Sequence, residues 1–452
     1  MNYEETDLRN IWRHLSRQGS PRPPIMAAGQ GLRLTDINGR EYLDAASGGV
    51  WCVNVGYGRA EIAEAVCAQM KRMPYYAATG GNLPTIEFSE KLLKYMPGLS
   101  RLYFSNSGSE ANEKAYKMVR LKGWAEGRPE RTTILYRHRD YHGTTIAALS
   151  SSGQAERRDG FGPLAPGFVE APHACCYRCA FGRNYPGCEL ECARAVEEII
   201  KREGSETVAG IVLETITAGG GIIVPVPEYY VIIQEICVRH GLTLIMDEVV
   251  CGLGRTGSMF AYQDYGLKPD IVTLAKGVAS AYMPVSLTVT TEALFESLQG
   301  DERLSYFRDI STFGGCAAGA TAALENLKII ENEKLLDNVR QMGDYLLAGL
   351  RENLDHPNVG DVRGRGLLAG LELVADKATK TPLPEEKVMA VCGEMAARGV
   401  LIGRTNRSLP GHNNIVNFAP AYIVTQDDLD IILKTLRESL RAVLGPNGCG
   451  NN

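Results

Sequence analysis

The chain has 452 residues, 44% hydrophobic and 22% charged, which are the proportions of a folded globular protein and exclude a disordered one. Its 48 Lys and Arg against 53 Asp and Glu give a net charge of −5, which argues against a nucleic-acid partner because such a protein needs a basic face. No apolar stretch reaches the roughly 18 residues of a membrane helix, so no membrane partner is expected. The polar start MNYEETDLRN is unlike a secretory signal. We therefore expect a cytoplasmic protein with mostly reduced cysteines.

The first half of the chain predicts a large α/β unit behind a short N-terminal segment. Residues 1–60 contain a polar helical pattern and two short strands that meet at an Asn38-Gly39 turn. From 61 to 329, the apolar runs TTILY, GIVLE, LTLIMDE and DIVTLAK alternate with helical patterns. This alternation is typical of a mostly parallel sheet covered by helices. We predict a large ligand-binding domain over 61–329.

The pattern changes near residue 330. A long helix (330–354) is followed by short strands around GLLAGLELV, a helix at 384–398, further strands, and a last helix after Thr425. We predict that 330–452 forms a smaller α+β domain and that the N-terminal segment, 1–60, joins it.

Two strand ends carry residues suited to chemistry. Ligands of open α/β sheets bind at the carboxyl ends of the strands, so the residues after each apolar run are candidates. Asp247 follows LTLIM, and Lys276 follows DIVTLA about one strand–helix–strand unit later. A lysine at a buried strand end loses hydration, which makes its amine more nucleophilic. The alternative for these two residues is an ordinary ion pair.

Two further segments fall at the same edge of the predicted sheet. Ser107, Gly108 and Ser109 lie between a strand and a helix, where free N–H groups, hydroxyls and the helix dipole would bind a phosphate. A plain helix cap is the alternative. Tyr141 and His142 follow TTILY, and an aromatic ring there could stack on a planar ligand, or belong to the core. A lysine, a carboxylate, a phosphate site and a stacking ring together suit pyridoxal 5'-phosphate (PLP).

With these features the chain resembles the class III aminotransferases, fold-type I enzymes that depend on PLP. The resemblance extends from about Trp12 to Leu444. Its motifs, in chain order, are SGSEAN from Ser107, YHG from Tyr141, DEV from Asp247, GRTG from Gly254, KG from Lys276 and STFGG from Ser311.

The resemblance implies a role for each residue around the cofactor ring. Lys276 matches the lysine that bonds the cofactor aldehyde and later moves the Cα proton. Asp247 matches the carboxylate at the pyridine nitrogen. Val249 matches the side chain below the ring, and Tyr141 the aromatic above it. Glu214 matches a glutamate near the ring hydroxyl or the substrate-binding arginine.

The resemblance also implies an assembly. Gly108 and Ser109 match the phosphate-binding turn, and Thr312 matches a threonine that reaches the phosphate of the neighbouring subunit. A homodimer with shared active sites is therefore expected, with a tetramer as the alternative.

The segment WCVNVGYG, from Trp51, and the segment DEVVCG resemble the ω-amine:pyruvate and taurine:pyruvate branch of the family. Trp51 would bound the donor pocket, or else belong to a domain core. Arg404 matches the mobile arginine of that branch, which would bind a carboxylate or sulfonate. Arg407 is the alternative, and a surface role for Arg404 is another.

The function implied is transfer of an amino group from taurine or a similar ω-amino donor to a keto acid, for which pyruvate is expected, giving an aldehyde and alanine. β-Alanine, γ-aminobutyrate and simple amines stay open as donors. A PLP-dependent decarboxylase, racemase or aminomutase of the same fold is a rival, as is a non-catalytic relative.

Five cysteines lie between residues 175 and 192, inside a segment (173–192) that we term the Cys-rich loop. The spacing of Cys176, Cys179, Cys188 and Cys192 would allow a structural zinc site. Free thiols or a local crosslink are the plainer alternatives, and the expected chemistry needs no metal.

Overall fold

The computed structural model describes residues 1–16, 23–303 and 305–446. The strands in this part of the chain are β1 (Met26–Gln30), β2 (Arg33–Asp36), β3 (Glu41–Asp44), β4 (Arg101–Ser105), β5 (Thr133–Arg137), β6 (Phe168–Ala171), β7 (Val208–Glu214), β8 (Thr243–Asp247), β9 (Ile271–Leu274), β10 (Ser286–Thr290), β11 (Val359–Gly364), β12 (Ala369–Asp376), β13 (Thr381–Pro382), β14 (Val400–Leu401), β15 (Gly403–Arg404) and β16 (Ile415–Phe418).

The α-helices of the same part are α1 (Tyr3–Asn10), α2 (Ala60–Arg72), α3 (Leu83–Leu93), α4 (Gly108–Ala125), α5 (Ile146–Ser150), α6 (Ala155–Arg158), α7 (Glu191–Glu203), α8 (Pro227–His240), α9 (Glu292–Ser297), α10 (Ala317–Asn332), α11 (Leu335–Arg351), α12 (Glu385–Ala397) and α13 (Gln426–Leu444). Within the described residues, no helix combines the length and the apolar character that crossing a membrane requires.

The largest sheet has seven strands in the order β4-β10-β9-β8-β7-β5-β6. Strand β10 runs antiparallel to both neighbours, and β9, β8, β7, β5 and β6 run parallel to one another. Every residue of β7 and β8 is buried, which explains why their sequences are almost continuously apolar. The predicted mostly parallel α/β sheet is therefore confirmed.

The register of this sheet aligns the ends of three central strands. Glu214, the last residue of β7, lies opposite Asp247, the last residue of β8. Asp247 in turn lies opposite Thr273 on β9. Lys276 follows three residues later. The predicted carboxylate and lysine thus come to the same edge of the sheet.

Of the two smaller sheets, one combines strands from both ends of the chain and the other contains only strands from the C-terminal part. One has the order β1-β2-β3-β14, in which Leu43 pairs with Val400. The predicted turn between β2 and β3 is confirmed, since Gly39 has a φ of 79° and the Asp36 carboxylate accepts hydrogen bonds from two backbone N–H groups in the turn. The other sheet has the order β11-β12-β16-β15. The domain boundaries at 60 and 329 stay a prediction.

The predicted long helix over 330–354 is confirmed as α11, but it begins at Leu335 instead of residue 330. Helix α10 ends at Asn332 and α11 begins at Leu335, because Lys334 adopts a left-handed conformation (φ 51°) that interrupts the helical hydrogen bonds. The predicted helices at 384–398 and after Thr425 are confirmed as α12 and α13. The Thr425 side chain caps the start of α13.

Candidate active site

Asp247 is buried at the end of β8, and both of its carboxylate oxygens are engaged. Oδ2 accepts a hydrogen bond from Asn112 Nδ2 at 2.9 Å and lies 2.7 Å from His142 Nδ1. Oδ1 accepts from the backbone N–H of Val249 at 3.0 Å. These partners fix the orientation of the carboxylate at the strand end.

Asn112 connects three elements of the site. Its Nδ2 also donates to the backbone carbonyl of His142 at 2.8 Å, and its Oδ1 accepts from Thr273 Oγ1 at 2.9 Å. Helix α4, strand β9 and the YHG segment are therefore tied together. No role was predicted for Asn112 from the sequence. Its position could have indicated one, since Asn112 is a polar residue on the buried face of α4, beside Ala111 and Ala115, and a buried polar side chain needs hydrogen-bond partners.

Glu214 holds the backbone on which Tyr141 is presented. Its Oε1 accepts from the Tyr141 N–H at 2.8 Å and its Oε2 from the Ala218 N–H at 3.0 Å. Burial raises the pKa of Glu214 well above its ordinary value, and the nearby carboxylates of Asp140 and Asp247 raise it further. Glu214 thus positions Tyr141.

The predicted phosphate turn begins helix α4. The Ser107 hydroxyl accepts from the Glu110 N–H at 3.2 Å and so acts as the N-cap. A side chain at Gly108 would begin 3.2 Å from both methyl groups of Val249 and 3.6 Å from the Cβ of Ala275. The glycine backbone therefore lies close to Val249 and to the residue before Lys276.

Ser109 faces the YHG segment from the first turn of α4. Its hydroxyl oxygen accepts from the Thr144 N–H at 3.0 Å, which leaves the hydroxyl proton available to donate. A side chain at Gly143 would begin 2.4 Å from that oxygen, so this position has no room for one. Helix start and YHG segment pack without a gap.

Lys276 begins a short turn after β9 and has a left-handed backbone with a φ of 46°. The next carbonyl, that of Gly277, accepts from Asn54 Nδ2 at 3.2 Å and from Asn326 Nδ2 at 2.9 Å. Among the described residues, no side chain or carbonyl forms a hydrogen bond with the Lys276 amine. The backbone is fixed while the amine stays available.

Trp51 ends a tight turn and has a φ of 63°. Its Nε1 donates to Asn417 Oδ1 at 3.2 Å, and its ring packs against the group of apolar residues that includes Ile216 and Val250. These two residues lie just beyond the ends of β7 and β8. Trp51 therefore lies beside the strand ends, a position from which it could bound the donor pocket.

Arg255 of the GRTG motif holds the turn that ends at Trp51. The Arg255 guanidinium is fully buried and donates to Ser47 Oγ at 3.1 Å and to Asn54 Oδ1 at 3.2 Å. It therefore holds both ends of the segment that carries Trp51.

Arg157 is a residue of the site that sequence reasoning missed. Its guanidinium carbon lies 4.9 Å from the centre of the Tyr141 ring. Its Nε donates to Gln154 Oε1 at 2.9 Å and its Nη2 to the Asn406 carbonyl at 2.9 Å. Burial lowers the pKa of Arg157, and the Tyr141 hydroxyl opposes that change. No motif marked this arginine in the sequence.

This geometry can be set beside known proteins. The family model "Aminotransferase class-III" matches residues 15–440. The chain belongs to the class III aminotransferases. A taurine–pyruvate aminotransferase of Bilophila wadsworthia is 51% identical to this class III aminotransferase over 98% of this chain and 99% of that protein. Among solved structures, a Bacillus anthracis aminotransferase has a TM-score of 0.93 with 40% identity, covering 98% of this chain and 100% of its own. A PLP-bound amine transaminase from an uncultivated Pseudomonas species has a TM-score of 0.91 with 30% identity, covering 96% and 99%.

The residues of this class III aminotransferase fit its cofactor, PLP. Asp247 offers a fixed carboxylate for a ring nitrogen, Lys276 offers an unengaged amine, and Gly108 brings a helix start close to both. When bound, PLP supplies an aldehyde that bonds to amines and a ring that accepts electrons. The recognition of the family, its fold type and its cofactor are thus confirmed, and the individual roles of the site residues stay proposals.

In this structure of the aminotransferase, Arg404 is paired with an acidic residue of α12. Its Nη1 donates to Glu385 Oε1 at 3.0 Å, and its Nη2 lies 3.5 Å from Asn406 Oδ1. The alternative, Arg407, lies 3.9 Å from Glu156. Asn406 also accepts from Arg157, so Arg404 is one residue away from the group that covers Tyr141.

Thr312 lies at the surface of the single chain, and its side chain has no hydrogen-bond partner within the described residues. Its backbone carbonyl accepts from the Tyr75 hydroxyl at 2.9 Å. The adjacent apolar residues Ile310 and Phe313 are 81% and 62% exposed.

The Cys-rich loop gives no support to a zinc site. Cys176, Cys179, Cys188 and Cys192 are all free thiols. Across residues 1–16, 23–303 and 305–446, no three His, Cys, Asp or Glu side chains are arranged to hold a metal ion. Cys176, Cys179, Cys188 and Cys192 nevertheless line one small cavity together. A structural zinc site at these four cysteines therefore stays a prediction of their spacing.

Proposed function

We propose that this class III aminotransferase transfers the amino group of taurine, or of a closely similar ω-amino acid, to pyruvate, which yields an aldehyde and alanine. The 51% identity to a taurine–pyruvate aminotransferase over nearly the full length of both chains carries the proposal. The aligned strand ends, with an available lysine beside a fixed carboxylate, supply the chemistry that any such reaction needs.

Each residue then has a task in the reaction. The Lys276 amine removes a proton from the donor carbon that bears the amino group and returns one during the second half of the reaction. Asp247 keeps the ring nitrogen of the cofactor protonated, and Asn112 and His142 hold Asp247 in place. Tyr141 and Val249 confine the ring from its two faces.

Basic groups near the site favour an acidic donor. Arg157 covers Tyr141, and Arg404 contacts Asn406, the residue whose carbonyl binds Arg157. A guanidinium group binds sulfonate or carboxylate oxygens in pairs. Arg404 would leave Glu385 to meet such a group, and Trp51 would bound the pocket on the other side.

The active form that we propose is a homodimer in which Thr312 reaches the phosphate site of the partner. The exposed Thr312 side chain and its exposed apolar neighbours Ile310 and Phe313 support this arrangement, because apolar side chains exposed next to one another are typical of protein–protein interfaces. Light scattering of the purified protein should give the mass of a dimer or a tetramer. A cytoplasmic location stays a prediction of the sequence.

The visible absorption spectrum of the purified protein tests the reaction. We expect a yellow protein whose band bleaches with taurine in the absence of a keto acid and returns on addition of pyruvate. Ethanesulfonate, which has no amine, is the matched control and should leave the band unchanged.

Other outcomes would separate the remaining alternatives. Bleaching with β-alanine, γ-aminobutyrate or a simple amine but not with taurine would reject the donor and keep the transamination. Turnover without any keto acid would instead indicate a decarboxylase, racemase or aminomutase. A colourless protein that stays colourless with added PLP would reject the whole assignment.

A further inference from the structure

A cavity of about 580 Å³ lies beyond the ends of β5 and β6, and none of its lining residues is among those assigned to PLP. We term it the basic pocket, and define it by its charged and imidazole-bearing lining residues. These are Arg139, Arg178, Arg183, Lys380, His138, His173 and His412. No Asp or Glu is among the described residues that line it. A cavity of this size is in the range of sites for small molecules.

Arg139 is the most unusual residue of the basic pocket. It is only 4% exposed, and its Nε is fully shielded without a hydrogen-bond partner. Within the described part of the chain, its guanidinium forms neither a hydrogen bond nor an ion pair. Leaving a buried charged donor unpaired destabilises a protein by several kcal/mol in general, so such groups normally have a partner.

Glu372, the carboxylate whose charge acts on Arg139, already has direct partners. Glu372 accepts from Arg178 Nε, and its Oε2 lies 2.7 Å from Arg363 Nη1. Arg178 Nη2 is nevertheless buried without a partner. Glu372 therefore bonds directly to two other guanidinium groups, and it acts on Arg139 only through the longer-range attraction of its charge.

Two histidines of the basic pocket are affected by burial and by the positive charge of Arg139. Burial lowers the pKa of His138 to about 4 and that of His173 to about 3, and the charge of Arg139 contributes in both cases. His412 Nδ1 is a third buried nitrogen that lacks a partner. Neutral imidazoles and guanidinium groups can all donate hydrogen bonds to an anion.

We propose that the basic pocket binds a tetrahedral oxyanion, the –SO₃ or –PO₃ group of sulfate, phosphate or a small organic sulfonate or phosphate ester. Arg139, Arg178 and His412 line the pocket from three separate segments and each has a buried nitrogen without a partner, which suits a group with several oxygens, whereas a flat carboxylate is satisfied by one guanidinium. The volume exceeds what an inorganic ion fills, which leaves room for an organic remainder.

The basic pocket is joined to the active site through one side chain. The Arg139 carbonyl accepts from Gln154 Nε2 at 2.9 Å, and Gln154 Oε1 accepts from Arg157 Nε at 2.9 Å. Arg157 in turn covers Tyr141. An anion in the pocket would therefore lie at one end of a hydrogen-bonded chain that ends at the proposed substrate site.

Equilibrium dialysis of the PLP-loaded enzyme with labelled sulfate, at constant ionic strength set with chloride, tests the proposal. We expect one Arg139-dependent sulfate per chain, with affinity reduced at least 10-fold in Arg139→Gln. The control is Arg128→Gln, which removes an exposed guanidinium paired with Glu126 and should bind as the wild type does. Displacement of sulfate by ethanesulfonate would assign an organic sulfonate, and displacement by phosphate alone an inorganic or phosphate-bearing ligand.

Thermal unfolding distinguishes a variant that has lost sulfate binding from one that fails to fold. Sulfate should raise the midpoint of the wild type and not that of Arg139→Gln, while Arg139→Gln without sulfate should melt no lower than the wild type, because it lacks a buried unpaired charge. Equal sulfate binding by wild type and Arg139→Gln would overturn the proposal. The absence of any bound sulfate would overturn it as well.

Discussion

The ends of β7 and β8 and the basic pocket both bury charged side chains, but they differ in how those charges are paired. At the strand ends, Glu214 accepts from two backbone N–H groups, and Asp247 is held by two side chains and one N–H group. Glu248 likewise accepts from two backbone N–H groups, at 3.0 and 2.9 Å. In the basic pocket, Arg139 and Arg178 retain buried nitrogens without partners.

This difference shows in which of the two regions the buried charged groups find all their hydrogen-bond partners within the chain. The active site is prepared in advance, so its carboxylates keep their positions with or without a ligand, which is the condition for efficient electrostatic stabilisation. The basic pocket has donors in excess of acceptors and is completed only by an added anion. One unengaged group stands out in the active site, the amine of Lys276.

The largest expected effect comes from removing that amine. Lys276→Ala should lower kcat by about 1,000-fold or more, because both bond formation to the cofactor and proton transfer are lost. Initial rates of alanine formation from taurine and pyruvate would measure this change. Lys268→Ala, at an exposed lysine after α8, is the matched control. Undiminished turnover by Lys276→Ala would show that the ends of β7 and β8 are not the active site.

The next effect concerns the prepared carboxylate. Asp247→Asn keeps the shape of the side chain and removes its charge, so kcat should fall by roughly 100- to 1,000-fold with a smaller change in KM. The visible band of the bound cofactor should also shift, since its ring nitrogen loses a charged partner. A variant Asp264→Asn, at a residue paired with Arg365, controls for charge removal elsewhere. A change confined to KM would contradict the assigned role.

Strand-end chemistry was predictable from the sequence because parallel strands fix where their last residues go. A continuous apolar run ending in Asp247 and another ending before Lys276 were enough to place both at one edge. The N-cap Ser107 and the turn at Gly39 were predictable for the same local reason. The break at Lys334 was not, since a lysine gives no sign that its backbone will be left-handed.

Contacts between distant segments could not be predicted. Arg157 reaches Tyr141 and Asn406 through three-dimensional packing, and a lone arginine after the YHG motif carries no pattern. The basic pocket combines β5, the Cys-rich loop and the segment near His412. Its arginines look like ordinary surface residues in the sequence. The cysteine spacing nearby suggests a metal site, and among the described residues no three His, Cys, Asp or Glu side chains are arranged to hold a metal ion.

A pH effect would sharpen the difference between the two regions. His173 has a folded pKa of about 3, below the ordinary 6.5, so the unfolded chain takes up a proton first as the pH falls. Its contribution to stability is therefore present above pH 6.5 and lost on going down toward pH 3. Between pH 7.5 and 5 we expect a loss of about 2 kcal/mol from this group, by urea unfolding in chloride.

Two comparisons make this pH effect specific. His173→Gln should show a loss smaller by that amount, since it removes the group that titrates. Sulfate should reduce the loss in the wild type, because a bound anion favours the protonated imidazole. An identical pH dependence in wild type and His173→Gln would show that neither burial nor the charge of Arg139 lowers the pKa of His173.

The smallest effect is expected where the two regions meet. Arg157→Gln removes a guanidinium from the Tyr141 ring, a contact that contributes about 0.5–2 kcal/mol. KM for taurine should rise about 3- to 30-fold while kcat changes less, because we propose that the Arg157 guanidinium helps to bind the acidic group of the donor and takes no part in proton transfer. Arg158→Gln is the control, since Arg158 bonds the Tyr136 hydroxyl instead. A simple amine without a sulfonate should be nearly insensitive to Arg157→Gln. If that amine lost as much as taurine, Arg157 would act by supporting Tyr141 rather than by binding the acidic group of the donor.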